Sequence, residues 1–216
     1  MIEYKDIILQ INNLTCGYGG IPVLDNFGME LKAGEILAIE GPNGCGKSTL
    51  LKAIYQLCLI EKGEIYYNGI NLNGKSPEII KRMGIAYFMQ KESIFTNLSV
   101  RENLLISLNG SPLKIKEQKI SELLEEFQII KSWLNKPAGL LSGGQRQQLS
   151  MAMLFAQNAK LWLLDEPTAG VDKKGIEILL KELKIQVKEK NVSIVLVEHN
   201  KEFIKNIASR SINLKG

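Results

Sequence analysis

The sequence has no apolar run near the ~18 residues that a bilayer-spanning helix needs. That pattern excludes a helical membrane span, so any membrane role has to come through a partner. Only three cysteines occur, Cys16, Cys45 and Cys58, and they supply neither an even disulfide framework nor a metal-ligand spacing. Such usage points to a reducing compartment. Charge of one sign is also lacking. The net charge is +4 with scattered lysines, which reads as a solvated surface, and no nucleic-acid partner is expected. Internal repeats and low-complexity segments are missing too. The first residues, Met1 to Asp6, are polar where a signal peptide would turn apolar, so the expected location is cytoplasmic. What is present is 216 residues with 45% hydrophobic content, enough to bury a sizeable core in one compact domain with a small inserted subdomain.

The most informative stretch is Gly41-Pro42-Asn43-Gly44-Cys45-Gly46-Lys47-Ser48-Thr49, which has the spacing of a phosphate-binding loop. Its glycines let successive backbone N–H groups point inward at phosphate oxygens. Lys47 brings a compact positive charge to the β- and γ-phosphates, and Ser48 offers a hydroxyl to Mg²⁺. A helix beginning here adds its positive dipole end. The flanks agree, because Glu35 to Glu40 reads as a buried strand entering the loop and Leu50, Leu51 and Ile54 give the next helix an apolar face.

Along the rest of the chain, Ile7 to Tyr18 reads as a strand ending in a glycine turn. Val23-Leu24 with Phe27 to Leu31, and Gly63 to Gly69, add strands to an antiparallel sheet. A short helix over Pro77 to Arg82 precedes a strand over Ile85 to Met89. Between Val100 and Leu140, Ile120, Leu123, Leu124, Phe127, Ile130 and Leu134 recur at helical spacing. Helix-like runs to about Asn158 and over Lys173 to Lys190 alternate with apolar strands at Leu161 to Leu164 and Ser193 to Val197. The expected fold is α/β, a mostly parallel core sheet with an antiparallel β subdomain and an inserted α-helical subdomain. The expected organisation of residues 1–216 is antiparallel β and core sheet over 1–90, helical subdomain over about 91–158, and completion of the core over 159–216.

Other parts of a phosphoryl-transfer site follow in order. Asp165 ends an apolar strand, where α/β sheets bind ligands and a carboxylate can hold Mg²⁺. Glu166 comes next and can orient and deprotonate an attacking water. His199, the one histidine, lies past another strand and is placed to hydrogen-bond the γ-phosphate. Gln90, at a strand end, can reach metal and water. Leu141-Ser142-Gly143-Gly144-Gln145 opens a helix and forms a second anion-binding device. One nucleotide does not need two, so the economical reading gives the second to a nucleotide held by another subunit.

In these motifs nearly the whole chain resembles the ATP-binding cassette (ABC) ATPases. By that resemblance Tyr18 is the adenine-stacking aromatic, Gly41 to Thr49 the Walker A loop and Gln90 the Q-loop. Leu141 to Gln145 corresponds to the signature, Leu161 to Glu166 to Walker B with its catalytic glutamate, Ala169 to Asp172 to the D-loop and His199 to the switch histidine. The D-loop departs from the commoner Ser-Ala-Leu-Asp, and Met153 stands where an arginine is frequent; neither removes a catalytic group. The resemblance implies a P-loop NTPase with ATP and Mg²⁺ as cofactors. It also implies a head-to-tail pairing with a second copy or a similar ATPase, and an integral membrane transporter subunit as partner at the inner face of the membrane. The finer likeness is to ATPases of lipopolysaccharide export and branched-chain amino-acid uptake. A soluble ABC ATPase acting as an assembly factor, as in iron–sulfur cluster assembly, is the alternative. The chain end at Gly216 suggests a cassette without an appended regulatory domain, and Cys45, beside a helix N-terminus, is expected to be the reactive thiol.

Overall fold

The computed structural model describes residues 6–89, 94–108 and 112–215. Strands β1 (Ile7–Tyr18) and β2 (Ile21–Lys32) form an antiparallel hairpin in which Tyr18 pairs with Ile21. The two residues between them, Gly19 and Gly20, have φ of 59° and 78°. That left-handed pair matches the right-handed twist of the flanking strands. β2 runs as one strand through Val23-Leu24 and Phe27 to Leu31, with register irregularities along its pairing with β1 that interrupt its alternation. β3 (Ile36–Glu40) leads to α1 (Lys47–Ile54), followed by β4 (Leu59–Tyr67), β5 (Ile70–Asn71), α2 (Pro77–Arg82) and β6 (Ile85–Phe88). Next come the helices α3 (Val100–Ser107), α4 (Leu113–Glu126), α5 (Gln128–Lys131) and α6 (Gly143–Ala156). The chain returns through β7 (Leu161–Asp165), α7 (Lys173–Lys190), β8 (Ser193–Val197), α8 (Lys201–Ile207) and β9 (Arg210–Asn213).

Two compact units result. The first takes the chain up to Tyr87, then Ala159–Glu166 and the segment from Ile178 on. It holds an antiparallel sheet of order β2-β1-β4-β5 and a second sheet of order β6-β7-β8-β3-β9, in which β7–β8, β8–β3 and β3–β9 are parallel pairs. Every residue of β7 and β8 is buried, as their unbroken apolar runs require of strands covered on both faces. Helix α1 touches β1, β2 and β4 on one side and β7 and β8 on the other. Leu50, Leu51, Ala53 and Ile54 are fully buried there. Each large one among them contributes about 1.5–3 kcal/mol of transfer free energy, so the helix following the loop is held from both sides. β9 and α8 carry no clear sequence signal. The Arg-Ser-Ile-Asn edge strand is polar and mostly exposed, as edge strands commonly are, and so shows neither alternation nor an apolar run.

The second unit comprises Phe88–Asn158 and Pro167–Glu177. Helix α6 is its axis and packs against α3, α4 and α5. Most of the helical stripe read from the sequence faces inward, with Ile120, Leu123, Leu124, Phe127 and Ile130 buried, while Leu134 is half-buried in the turn after α5. Asn103, also fully buried, pins the loop ahead of α3. Its amide oxygen accepts from the Phe95 N–H at 2.7 Å, and its nitrogen donates to the Phe95 and Ser99 carbonyls at 3.0 and 2.9 Å.

Candidate nucleotide site

At the C-terminal end of β3 the chain turns through Gly41 and Gly46 at φ of 145° and 100°. A Cβ on Gly41 would come within 2.6 Å of the Leu214 carbonyl oxygen, and one on Gly46 within 2.8 Å of the Leu24 side chain. Glycine is thus required twice, by conformation and by space. Gly46 caps α1 with no side-chain hydrogen bond, and the first turn holds no acidic residue. The first N–H groups of the helix are left with a positive dipole end and no local anion, which is the arrangement of an anion site. Lys47, only 6% exposed, donates from Nζ to the Gly41 and Pro42 carbonyls at 2.9 and 2.8 Å. Its ammonium is folded over the loop, while Asn43 and Gly44 lie exposed at the rim. Thr49 and Cys45 are buried beneath.

The end of β7 brings the carboxylates to this loop. Ser48 Oγ donates to Asp165 Oδ1 at 3.0 Å, and the Tyr87 hydroxyl donates to Oδ2 at 3.4 Å. Asp165 is 5% exposed, and burial raises its pKa above the usual carboxylate range; the Glu166 charge adds to this, while the two hydrogen bonds and Lys52 pull the other way. Tyr87 is pushed up likewise, by burial first and then by the Asp165 charge, so its hydroxyl stays a donor. Tyr87 was not singled out in the sequence. The signal was available: it lies near the end of β6, three residues before Gln90, at the sheet edge where ligands bind.

Glu166 has φ of 49°, a left-handed conformation uncommon for a residue with a Cβ and costing on the order of 1 kcal/mol or more. Its N–H bonds the Val197 carbonyl at 2.9 Å, and its Oε1 lies 3.3 Å from His199 Nε2. The histidine is placed by its neighbour: Glu198, 4% exposed, accepts from the His199 and Asn200 N–H groups at 2.7 and 3.1 Å. Sequence reading proposed Glu166 and His199 separately and missed both their contact and Glu198. Tyr18 stands at the hairpin end, 46% exposed, with Lys52 Nζ 5.7 Å from its ring centroid. Its ring is therefore accessible to a ligand. Gln90 lies outside the described residues.

In the second unit Ser142 caps α6 through a reciprocal box. Its Oγ accepts from the Gln145 N–H at 3.4 Å, and its own N–H donates to Gln145 Oε1 at 2.9 Å. Gly143 and Gly144 supply the first helical N–H groups. Gln147 Nε2 donates to the Pro167 carbonyl at 2.8 Å, and a Cβ on Gly144 would lie 3.9 Å from the Gly170 carbonyl. The signature stretch and the turn at Ala169 to Asp172 are thus neighbours. Asp172 in turn accepts from the Gly175 N–H at 2.8 Å and steadies the start of α7.

A glycine loop closing on a helix N-terminus at the C-terminal end of a parallel sheet, with an acidic pair two strands away, defines a P-loop NTPase. Comparison with known proteins sharpens this. The family described as ABC transporter matches residues 24–169. A probable branched-chain amino acid transport ATP-binding protein, LivF, of Archaeoglobus fulgidus is 35% identical over 89% of this chain and 82% of its own. A phosphate import ATP-binding protein, PstB, of Corynebacterium glutamicum is 33% identical over 89% and 79%. Among solved structures, a dimeric ATP-binding cassette in a post-hydrolysis state with ADP and Pi superposes with a TM-score of 0.87. It is 29% identical and covers 96% of this chain and 94% of its own. The chain belongs to the ABC transporter family and is an ATP-binding ATPase of that family.

Removing the Tyr87 hydroxyl tests how much Asp165 depends on it. Tyr87→Phe deletes one of the two hydrogen bonds that hold this carboxylate while keeping the ring against Tyr55, 5.5 Å away centroid to centroid. On the sequence expectation that Asp165 holds Mg²⁺, a neutral hydrogen bond worth about 1 kcal/mol implies a roughly fivefold change in the Mg²⁺ dependence of ATP binding. Titration of Mg²⁺ against a fluorescent ATP analogue reads it, with the melting temperature as a control; an unchanged titration assigns the hydroxyl no role.

Proposed function

We propose that the chain is the ATP-hydrolysing subunit of an ABC transporter, working as a head-to-tail pair that drives a separate membrane-spanning partner. The observation that carries this is the grouping of Lys47, Ser48, Asp165, Glu166 and His199 at one edge of the core sheet, with Glu166 held against His199. In this reading the loop amides and Lys47 grip the phosphates, and Tyr18 stacks on adenine. Glu166 takes a proton from the attacking water and His199 donates to the γ-phosphate. Ser48 and Asp165, with Gln90, would hold Mg²⁺, which neutralises phosphate charge when bound. The donor set fits that ion. One hydroxyl and one carboxylate lie 3.0 Å apart, and no cluster of three or more His, Cys, Asp or Glu occurs among the described residues. Magnesium is commonly held this way, by few protein oxygens plus phosphates and water.

The capped α6 N-terminus, carried by Ser142 to Gln145, is assigned to the γ-phosphate of the other subunit's nucleotide. Closure on ATP and reopening after hydrolysis would then supply the motion that a partner converts to transport. Names of similar proteins support the transport role, and the dimeric cassette supports the pairing. No helix among the described residues is long and apolar enough to cross a membrane, so attachment at the inner face falls to the partner. Solubilisation in mild detergent should recover the chain with an integral membrane protein. Recovery with soluble assembly proteins alone would instead favour the assembly-factor reading.

The loop ahead of α3 is the proposed docking wall. Phe95 is 53% exposed although Asn103 fixes its backbone, and Leu140, 64% exposed, lies in a segment tied to the same loop by the Gly139 N–H to Thr96 carbonyl bond. Rigidly held apolar side chains facing water suit a surface that another protein covers. Phe95→Asp should leave ATP binding by the isolated chain unchanged, within about twofold, and cut recovery of the membrane partner by about tenfold or more, as for a hot-spot aromatic. Loss of folding or of ATP binding in that variant would show Phe95 to be core.

A further inference from the structure

The chain carries a second reactive feature that hydrolysis does not use. Cys16 pairs with Ile60 and Gly17 with Leu59 across the antiparallel β1–β4 ladder, and Cys58 immediately precedes β4. Cys58 thus sits two residues before the ladder partner of Cys16, at the end of the same strand pair. The two thiols hydrogen-bond to each other. Cys16 is completely buried, whereas Cys58 is partly exposed and also donates to the Thr49 carbonyl on α1 at 3.8 Å. We propose that Cys16 and Cys58 form a peroxide-responsive dithiol whose closure to a disulfide weakens nucleotide binding at the adjoining Tyr18.

The two sulfurs are unequal. The hydrogen bond from Cys16, followed by the charge of Lys52, lowers the Cys58 pKa against the effect of burial; that same bond and burial raise Cys16. Cys58, the thiol that solvent reaches, is the attacking sulfur and the fully buried Cys16 the resolving one. Lys52 is also the ammonium beside the Tyr18 ring. Reactive sulfur, activating charge and adenine platform thus make one cluster. Cys45, the thiol expected from the sequence to react, is 7% exposed and packed under Gly41, where an added Cβ would come within 2.8 Å of its Sγ. An oxidant reaches Cys58 more readily.

The chemistry balances with hydrogen peroxide as oxidant. The Cys58 thiolate attacks one peroxide oxygen, the O–O bond breaks, and hydroxide leaves, giving Cys58 sulfenic acid. Cys16 sulfur then attacks the sulfenyl sulfur. The S–O bond breaks, and the departing hydroxide takes the Cys16 proton as water. Two thiols and one peroxide yield one disulfide and two waters; a dithiol such as dithiothreitol reverses it. The bridge draws Cys58 off the Thr49 carbonyl and ties the strand two residues before Tyr18. The effect on nucleotide rests on the proposed stacking of adenine on that ring.

Peroxide treatment of the intact reduced protein, read by mass spectrometry with peptide mapping, tests this without any substitution. Expected are a loss of about 2 Da, the mass of two hydrogens, and a cross-linked peptide joining Cys16 to Cys58 that dithiothreitol dissolves. The oxidised protein should bind a fluorescent ATP analogue about tenfold more weakly, the worth of one base stack. In Cys45→Ser the Cys16–Cys58 bridge should still form. Cys16→Ser should stop at a Cys58 sulfenic acid trapped by dimedone, and Cys58→Ser should form no bridge. First oxidation at Cys45, or no bridge in the wild-type chain, overturns the proposal; a bridge that leaves ATP affinity unchanged overturns its link to nucleotide. Unchanged affinity in reduced Tyr18→Ala marks a failure of the stacking assignment instead.

Discussion

Glu166→Gln is expected to lower ATP turnover by about 10²–10⁴-fold, the usual worth of a general base, while ATP binding stays within about twofold of wild type. The amide has the shape of the carboxylate, and the Glu166 N–H bond to Val197 at this left-handed position is made by the backbone and survives the substitution. What disappears is the proton acceptor facing His199 across 3.3 Å. ATP should then accumulate uncleaved, and the chain should shift to a dimer in size-exclusion chromatography with light scattering. Turnover at the wild-type rate would remove Glu166 from the mechanism. A slow enzyme that stays monomeric with ATP and Mg²⁺ would keep the base but count against pairing through ATP.

Lys47→Ala should act one step earlier, on binding. In the described arrangement the ammonium has two carbonyl partners from its own loop and is almost wholly shielded from solvent. Those two partners keep the charge where the phosphates would arrive, and a phosphate oxygen offers it a charged acceptor in place of neutral ones. Hydrogen bonds to charged groups are worth about 1.5–3 kcal/mol each, so ATP affinity should fall by about 10–100-fold, with turnover lost at ordinary ATP concentrations. Isothermal titration with ATP measures it. The variant also leaves the Gly41 and Pro42 carbonyls without their donor, so its melting temperature should be recorded alongside. Unchanged ATP affinity in a folded variant would place the nucleotide elsewhere.

Much of the cassette was legible because its signals are local. The phosphate loop needs glycines at positions whose backbone no other residue adopts without strain, so its spacing alone marks a strand–loop–helix unit. The buried strands β7 and β8 declare themselves as unbroken apolar runs, and α4 through Ile120, Leu123 and Leu124 as a helical stripe. The capping box at Ser142 and Gln145 lies within four consecutive residues. Short polar elements such as β9 escaped because their pairing, not their composition, makes them strands.

The sequence by itself determined the order of the motifs, the class of nucleotide chemistry and the residues proposed to carry it. Tertiary structure alone decided which of them meet. Ser48 and Asp165 are 117 positions apart and Tyr87 and Asp165 are 78 apart, and no local propensity spans such distances. The parallel register supplies the reason for the central pair. Asp165 aligns with Val197, so one step beyond the paired ends Glu166 turns back on the Val197 carbonyl, and His199 arrives beside it on the anchor of Glu198. The antiparallel register likewise sets Cys16 opposite Ile60, two residues from Cys58, a neighbourhood that their separate settings in the sequence did not show.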